Sequence, residues 1–317
     1  MSNPLKRPRT DDGGEGFEQD SGVFTPDGEV WFPDGNIDVV AEGTSFRVHR
    51  SILSVHSELF RDMLSMPQPR GPGGSVSHPV IEVSDSSCDM RHLLLAIYNC
   101  HPFYAPHLPA GFDLIIRLIR LAHKYQVVRT LEDAMSRLRT LYPDDLDVFI
   151  EVLSKRPEHT LFDHRDLDCL EVIQLARLVG DHTLLRPAFY RLCQVPPDDL
   201  RGVNDTLRAR FGDDIERCLK NRIHLEQATI NVRQEMLAHL ASGGCAYRYD
   251  TICRELMYDM REDLKDDLPT PCGAFICINM EGTLLCKECF DGVKRKEKNA
   301  QERVWDEIPR FFEFTEQ

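Results

Sequence analysis

The chain has 317 residues and a formal net charge of −14, with 52 acidic side chains against 38 basic ones. This charge argues against broad binding to nucleic acids or to anionic membranes, because both need a basic surface. The apolar fraction of 42% is ordinary for a globular protein, and the length allows two domains with a sizeable core.

No apolar stretch is long enough to cross a bilayer, and the residues after Met1 lack the apolar segment of a signal peptide. We therefore expect the protein inside the cell, in the nucleus, the cytoplasm or both. In a reducing compartment the 11 cysteines would be free thiols or metal ligands and not a disulfide framework.

Residues 1–28 are rich in Gly, Asp, Glu, Pro and Ser and are predicted to be a disordered tail. The tail carries a short basic cluster, Lys6–Arg9, which is compatible with a nuclear-import signal or with a solvated run of charge. Both interpretations stay open. The apolar segment at residues 30–32 is expected to lie against a sheet.

Residues 37–40 and 46–48 form two runs of largely alternating apolar side chains, which predict two strands. Gly43 lies between them and suits a tight hairpin connection. Helical spacing then takes over at residues 52–64, with Ser57 placed to cap the second of two short helices.

Further along, residues 80–83 predict a third strand, and three helical patterns follow at 90–97, 112–125 and 128–141. These elements and the preceding hairpin make a compact α+β unit over residues 29–142.

The helix predicted at residues 112–125 is apolar over most of its surface. Its basic residues Arg117, Arg120 and Lys124 stand at positions i, i+3 and i+7, which share one face of a helix. The pattern predicts one narrow solvated stripe on an otherwise buried helix.

Residues 143–265 are predicted to form a mainly helical region, interrupted at Gly243 and Gly244. Residues 266–317 are predicted to form a separate carboxy-terminal unit. Within it, residues 275–286 alternate around Glu281 and Gly282, which predicts a small cysteine-containing hairpin followed by a charged helix.

The cysteines separate into two groups. Five stand on or beside apolar helical positions, where a thiol behaves as a small buried hydrophobe: Cys88, Cys100, Cys169, Cys193 and Cys218. Six lie within 45 residues at predicted loops and hairpin ends: Cys245, Cys253, Cys272, Cys277, Cys286 and Cys289.

The second group contains a Cys-x-x-Cys motif, Cys286 and Cys289, which lets two thiolates face one ion. Structural Zn²⁺ takes four such ligands in a tetrahedron, so a second pair is needed. Cys272 and Cys277 are the pair nearer to this motif in the sequence, and Cys245 and Cys253 are the alternative pair. Inert thiols and a redox Cys-x-x-Cys stay open as alternatives, although the redox motif lacks its usual βαβ setting.

The hairpin and the helices after it carry a resemblance to a known family. The segment from Asp38 to Leu64 resembles the opening of a BTB/POZ domain. The matching positions are Asp38, Phe46, His49, Arg50, Leu53, Ser57, Phe60 and Met63. The stretches 121–127, 184–193, 285–289 and 304–312 extend the likeness to the long BTB proteins that are abundant in mushroom-forming fungi.

This resemblance implies a BTB/POZ fold, a short sheet flanked by helices, followed by the helical region and the cysteine-bearing hairpin. It implies a non-enzymatic protein–protein interaction adaptor that self-associates, with Asp38, His49 and Arg50 near the subunit interface. It also favours Cys245 and Cys253 as the pair that completes the zinc site.

The family further implies two kinds of partner besides a second copy, namely cullin-type ubiquitin ligase scaffolds and transcriptional co-regulators. Ligase adaptors of the family tend to carry an apolar-x-Glu signal in the loop before the third strand. The loop from Pro67 to His78 contains no Glu, which weakens the interpretation as a ligase adaptor. A transcription-linked scaffold is therefore an alternative of equal weight.

An enzyme is the alternative from a different class, either a thiol oxidoreductase or a zinc-dependent hydrolase built on the carboxy-terminal cysteines. Catalytic zinc needs an open coordination position and a nearby base, and no residue beside these cysteines marks that base. The sequence also lacks a Walker-type phosphate loop and a dinucleotide fingerprint. The sequence therefore favours an interaction module over an enzyme.

Overall fold

The computed structural model describes residues 24–66, 78–101, 111–154, 167–242, 245, 250–266, 272–275, 280 and 282–314. The strands are β1 (Thr25–Trp31), β2 (Ile37–Ala41), β3 (Thr44–Val48) and β4 (Val80–Val83). The helices are α1 (Arg50–His56), α2 (Glu58–Ser65), α3 (Ser87–Ile97), α4 (Phe112–Lys124), α5 (Val128–Leu141), α6 (Leu146–Ser154), α7 (Asp168–Val179), α8 (Leu185–Gln194), α9 (Pro197–Arg201), α10 (Asp205–Ala241), α11 (Asp250–Asp266) and α12 (Lys287–Phe311). The basic cluster Lys6–Arg9 and Cys277 lie outside the described residues.

The four strands form one mixed sheet in the order β1-β3-β2-β4. Strands β2 and β3 are antiparallel, with Val39 opposite Phe46. Strand β1 joins β3 in parallel, and β4 joins β2 in parallel. The predicted hairpin is therefore the centre of the sheet, and strands from before and after it complete the two edges.

The hairpin turn consists of two residues, Glu42 and Gly43, both with positive φ (46° and 77°). Two consecutive positive φ angles are the mark of the type I′ turn, whose twist matches that of the flanking strands. Glycine takes such a conformation without a steric penalty, so Gly43 sets the register of the sheet.

Strand β1 corrects the predicted boundary of the tail, because it begins at Thr25 and the tail was predicted to extend to residue 28. The polar composition of this segment concealed a strand with two buried anchors, Asp27 and Val30. The Asp27 carboxylate accepts hydrogen bonds from the amides of Glu29 and Val30 and pairs with Arg91 of α3 at 2.6 Å.

Helices α1 and α2 share one hydrophobic core with the sheet and α3. As predicted, Ser57 caps α2, since its hydroxyl oxygen accepts a hydrogen bond from the Phe60 amide at 3.0 Å. The same hydroxyl donates to the backbone carbonyl of Tyr125, so it ties α2 to the end of α4. Phe60 stacks on the Tyr125 ring with a centroid distance of 4.8 Å.

Helix α4 is shared between two hydrophobic cores. Leu121 and Ala122 pack in the core of the sheet and α1–α3. Ile115 and Leu118 pack in a second core with the helices from α5 onward. The predicted stripe is present: Arg117 and Lys124 are exposed, and the guanidinium of Arg120 pairs with Glu171 of α7 at 2.6 Å.

The second core is continuous from Ala96 to Phe312 and does not break at either predicted domain boundary, 142/143 or 265/266. Helix α10 is its longest element, with 37 residues and a length of about 55 Å at 1.5 Å per residue. Helices α8, α11 and α12 all pack against α10. The helical region and the carboxy-terminal segment therefore share one interior.

The predicted carboxy-terminal hairpin is not seen in the described residues. Residues 275, 280 and 282–286 are in coil and turn, and the other residues of that segment lie outside the described part. Helix α12 begins directly after Cys286 and is anchored by Trp305, whose indole N–H donates to the Asp144 carbonyl at 3.0 Å. Among the described helices, none combines the length and the apolar character needed to span a membrane.

The first prediction concerns Asp27, whose side chain is fully buried. Burial alone would raise the pKa of its carboxyl group, but the hydrogen bonds from Arg91 and from the amides of Val30 and Glu29 hold it below the ordinary 3.8. We expect Asp27→Asn to lower the free energy of unfolding by about 1–3 kcal/mol in urea titrations at neutral pH.

Because the folded-state pKa is lowered, this contribution is present above pH 3.8 and is lost as the pH falls through the folded value. The difference between wild type and variant should therefore persist at about pH 5 and shrink in more acidic buffer. Asp62→Asn, at an exposed position of α2, is the control and should leave stability unchanged. Equal stability of Asp27→Asn and wild type at neutral pH would contradict this role of the buried pair.

Candidate metal centre and predicted interaction residues

Three elements bring four of the predicted ligands together. Cys245 follows the end of α10, Cys253 lies in the first turn of α11, Cys286 immediately precedes α12, and Cys289 lies in the first turn of α12. Their four sulfur atoms all lie within 4.8 Å of one another. The structure thus joins Cys286 and Cys289 to the pair that the family resemblance favours.

The spacing of the sulfurs fits a tetrahedral site. Zn–S bonds of about 2.3 Å put the sulfurs of a tetrahedral centre about 3.8 Å apart. The Sγ atoms of Cys245 and Cys286 are 3.7 Å apart. A set of four sulfur donors binds Zn²⁺ in preference to the hard cations Mg²⁺ and Ca²⁺.

Backbone amides add hydrogen bonds to the sulfurs. The Cys286 N–H donates to Cys253 Sγ at 3.3 Å. The amide of Cys289 lowers the pKa of the Cys286 thiol, and the neighbouring thiols act in the same direction. Such N–H···S contacts stabilise negative charge on the sulfurs, which is the form that binds a metal.

Burial differs within the cluster. Cys253 and Cys289 are buried, whereas Cys245 and Cys286 are half-buried. Burial, followed by the hydrogen bond to Cys286, raises the pKa of the Cys289 thiol. Without a cation this group would therefore stay protonated, and a bound cation would reverse that preference.

Of the competing pair, Cys272 lies apart from the four-cysteine cluster. Cys272 is buried in a second thiol cluster, where a hydrogen bond with Cys193 lowers the pKa of Cys272. Cys193 Sγ in turn lies 3.5 Å from Cys218 Sγ. The other member of that pair, Cys277, lies outside the described residues.

Two of the cysteines predicted to be buried are exposed, Cys88 and Cys100. Cys88 stands at the second position of α3 on its solvent side, and Cys100 follows the end of that helix. The apolar neighbours Met90 and Leu93 are buried, but Cys88 stands on another face of the helix. A position beside apolar residues in the sequence therefore does not show that a thiol is buried. The prediction is confirmed for the buried residues Cys169, Cys193 and Cys218.

The residues that the resemblance places near an interface lie on the sheet and on the start of α1. Asp38 of β2 receives two hydrogen bonds from Arg47 of β3, at 2.9 and 3.1 Å. The guanidinium carbon of Arg47 stands 4.3 Å from the centre of the Trp31 ring. Within the chain, the partner of Asp38 is thus Arg47, which the sequence analysis did not single out.

Arg50 and His49 have other partners. A guanidinium nitrogen of Arg50 donates to the Leu64 carbonyl, and the Arg50 amide donates to the Asn36 side chain. His49 Nδ1 is 2.9 Å from the Tyr98 hydroxyl, and its Nε2 is 3.2 Å from the exposed Asp34 carboxylate.

Comparison with known proteins agrees with the geometry of the amino-terminal unit. Residues 35–142 match the family model of the BTB/POZ domain. The match covers the segment from the turn before β2 to the end of α5, and β1 precedes it. No curated protein matches the chain.

The second prediction concerns the ion pair of Asp38 with Arg47. In a double-mutant cycle of Asp38→Ala and Arg47→Ala, we expect a coupling energy of about 1 kcal/mol by urea denaturation, because the pair is bidentate and partly shielded. The cycle separates this term from the loss of the contact between Arg47 and Trp31.

The matched control is the pair Arg129 and Asp133 of α5, 3.9 Å apart with side chains 64% and 43% exposed. Its coupling should be close to zero, since exposed pairs gain little in water. Equal coupling in both cycles would show that the Asp38–Arg47 contact adds nothing beyond an exposed pair.

Proposed function

We propose that this chain, whose residues 35–142 form a BTB/POZ domain, is a non-enzymatic protein–protein interaction adaptor that pairs with a second copy of itself. The family match carries the proposal, because domains of this family bind other proteins. The adaptor would hold one protein beside another and so raise their effective concentration.

Exposed apolar side chains of the domain support a partner surface. Val55 of α1 is 74% exposed, Met66 after α2 is 63% exposed, and Val128 of α5 is 59% exposed. A protein that covers such side chains gains the free energy of removing apolar area from water.

For the bound partner we propose either a cullin-type ubiquitin ligase scaffold or a transcriptional regulator. The absent Glu in residues 67–78 weakens the case for the cullin-type scaffold and puts the two classes on an equal footing, and the basic cluster Lys6–Arg9 is compatible with a nuclear partner. The affinity for a purified cullin-type scaffold separates the two classes. Neither class requires direct contact with nucleic acid or membrane.

The third prediction tests self-association. Native mass spectrometry of tag-free protein should give a species of twice the chain mass of 36.4 kDa. Arg50→Glu reverses the charge at one of the proposed interface positions and should weaken the dimer about tenfold or more, because like charges facing each other oppose association. Size-exclusion chromatography with light scattering over a dilution series measures the change.

Arg61→Glu is the control for the dimer, because Arg61 is exposed on α2 and is not among the proposed interface residues. The melting temperature of each variant shows whether its fold is kept. Stable dimers remain associated at a concentration of about 50 μM. Wild-type protein that is monomeric at that concentration would contradict the self-association proposal. Equal weakening of the dimer by both variants would show that Arg50 has no specific role at the interface.

We also propose that Cys245, Cys253, Cys286 and Cys289 hold one structural Zn²⁺ per chain. The proposal is supported by the sulfur spacing, by the amide hydrogen bonds to sulfur and by the donor set. The ion would join the carboxy-terminal end of α10 to the starts of α11 and α12. With four protein ligands it would have no open position for substrate, which is the mark of a structural centre.

The fourth prediction tests this metal. Native mass spectra should show one zinc per chain that disappears under denaturing conditions. Cys286→Ser/Cys289→Ser should lose the metal and unfold at lower temperature, since structural zinc contributes on the order of 10 kcal/mol to folding of small domains. Cys100→Ser, which replaces an exposed thiol outside the cluster, should keep both the metal and the melting temperature.

The outcomes separate a structural centre from a catalytic one. Loss of metal together with stability supports the structural centre, and loss of metal with an unchanged melting temperature contradicts it. Wild-type protein that remains metal-free after purification in the presence of zinc would overturn the proposal. Neither result bears on the dimer, which is read from mass alone.

A further inference from the structure

A second chemical constellation lies on the amino-terminal unit, apart from the four-cysteine cluster. Cys88 is the second residue of α3, and His92 stands four residues later on the same helix face. The Cys88 sulfur lies 3.6 Å from His92 Nε2, within reach of an S–H···N hydrogen bond. The thiol is exposed to solvent, whereas the imidazole is partly buried.

The other ring nitrogen of His92 is also engaged. His92 Nδ1 lies 2.8 Å from Nε2 of His101, which is 95% buried and follows the end of α3. One of these two nitrogens must carry the hydrogen of the bond. When His92 Nδ1 carries it, the lone pair of His92 Nε2 faces the thiol of Cys88.

Both imidazoles are neutral near pH 7. Burial is the main cause that lowers the pKa of His92, while Asp89 and Glu29 raise it and Arg117 and Arg91 lower it. Burial and the neighbouring His92 lower the pKa of His101 to about 4. A neutral His92 can accept a proton, and a neutral His101 can accept the hydrogen bond that orients it.

We propose that Cys88 is a nucleophilic thiol that adds to small α,β-unsaturated carbonyl compounds, with His92 as its base and His101 as a positioning residue. This nucleophile–base–orienter arrangement follows the logic of activated nucleophiles in general. The inference does not depend on the adaptor role or on the metal.

The addition is balanced without a further reactant. The Cys88 sulfur forms a bond to the β carbon of the carbonyl compound while the carbon–carbon π bond opens. The thiol proton passes to His92 Nε2 and then to the α carbon, so that His92 returns to its neutral form. No group leaves, and nothing is oxidised or reduced.

A second exposed thiol, beyond the other end of α3, supplies an internal control. Cys100 is also exposed, but the partner of its thiol is the backbone carbonyl of Tyr98 at 3.4 Å, which cannot take up a proton. The two thiols share exposure and differ both in the presence of a base and in the end of α3 at which they stand, so the His92 variant is needed to assign a rate difference to the base. Their relative reactivity can be measured in one sample.

The fifth prediction is that acrylamide, used as the probe, modifies Cys88 at least about tenfold faster than Cys100 in the folded wild-type protein at pH 7.5. Peptide mass spectrometry of quenched time points gives both rates. Rates that agree within a factor of about two would overturn the proposal, and this outcome does not depend on any variant.

Variants then assign the roles. His92→Gln should bring the Cys88 rate down to that of Cys100, whereas His56→Gln, a partly buried histidine of α1, should not change it. His101→Asn keeps an acceptor for His92 and should retain the fast rate, while His101→Leu should lose it. A fast rate in folded His92→Gln would show that His92 is not the base, and equal rates in both His101 variants would contradict the positioning role.

Discussion

The double burial of α4 is the constraint on which the rest of the architecture depends. A helix that is apolar on most sides must be covered on most sides, because each exposed apolar side chain would lose about 1.5–3 kcal/mol of transfer free energy. Leu121 and Ala122 meet the core of the sheet, and Ile115 and Leu118 meet the core of the long helices. The two cores therefore meet along one helix, the core of the long helices at residues 112–119 and the core of the sheet at residues 121–125.

Sequence patterns were sufficient to predict the local features of the fold. Three features are local, since each depends on residues that are close in the sequence. They are the hairpin around Gly43, the cap at Ser57 and the basic stripe of α4. The family resemblance rested on the same local segment and is confirmed for the domain. Local periodicity and turn chemistry carry such information directly.

Long-range features were missed for a physical reason. Strand β1 is polar in composition, and only its pairing with β3 and the contact of Asp27 with Arg91 reveal it as part of the sheet. The partner of Asp38 stands nine residues away across a hairpin, so the register decides it and composition does not. Cys88 and His92 had a local signal, the i, i+4 spacing, but His101 joins them only through the fold.

The edge position of β1 affects how this protein can be divided. The family match begins at residue 35, so a fragment cut at that boundary would lack the whole of β1. Its removal would leave the backbone of β3 as an open edge and would expose the core positions that Val30 covers. Unpaired sheet edges template pairing with other chains, so such a fragment would tend to aggregate or to pair through an artificial edge. Fragments of this domain should therefore start before Thr25.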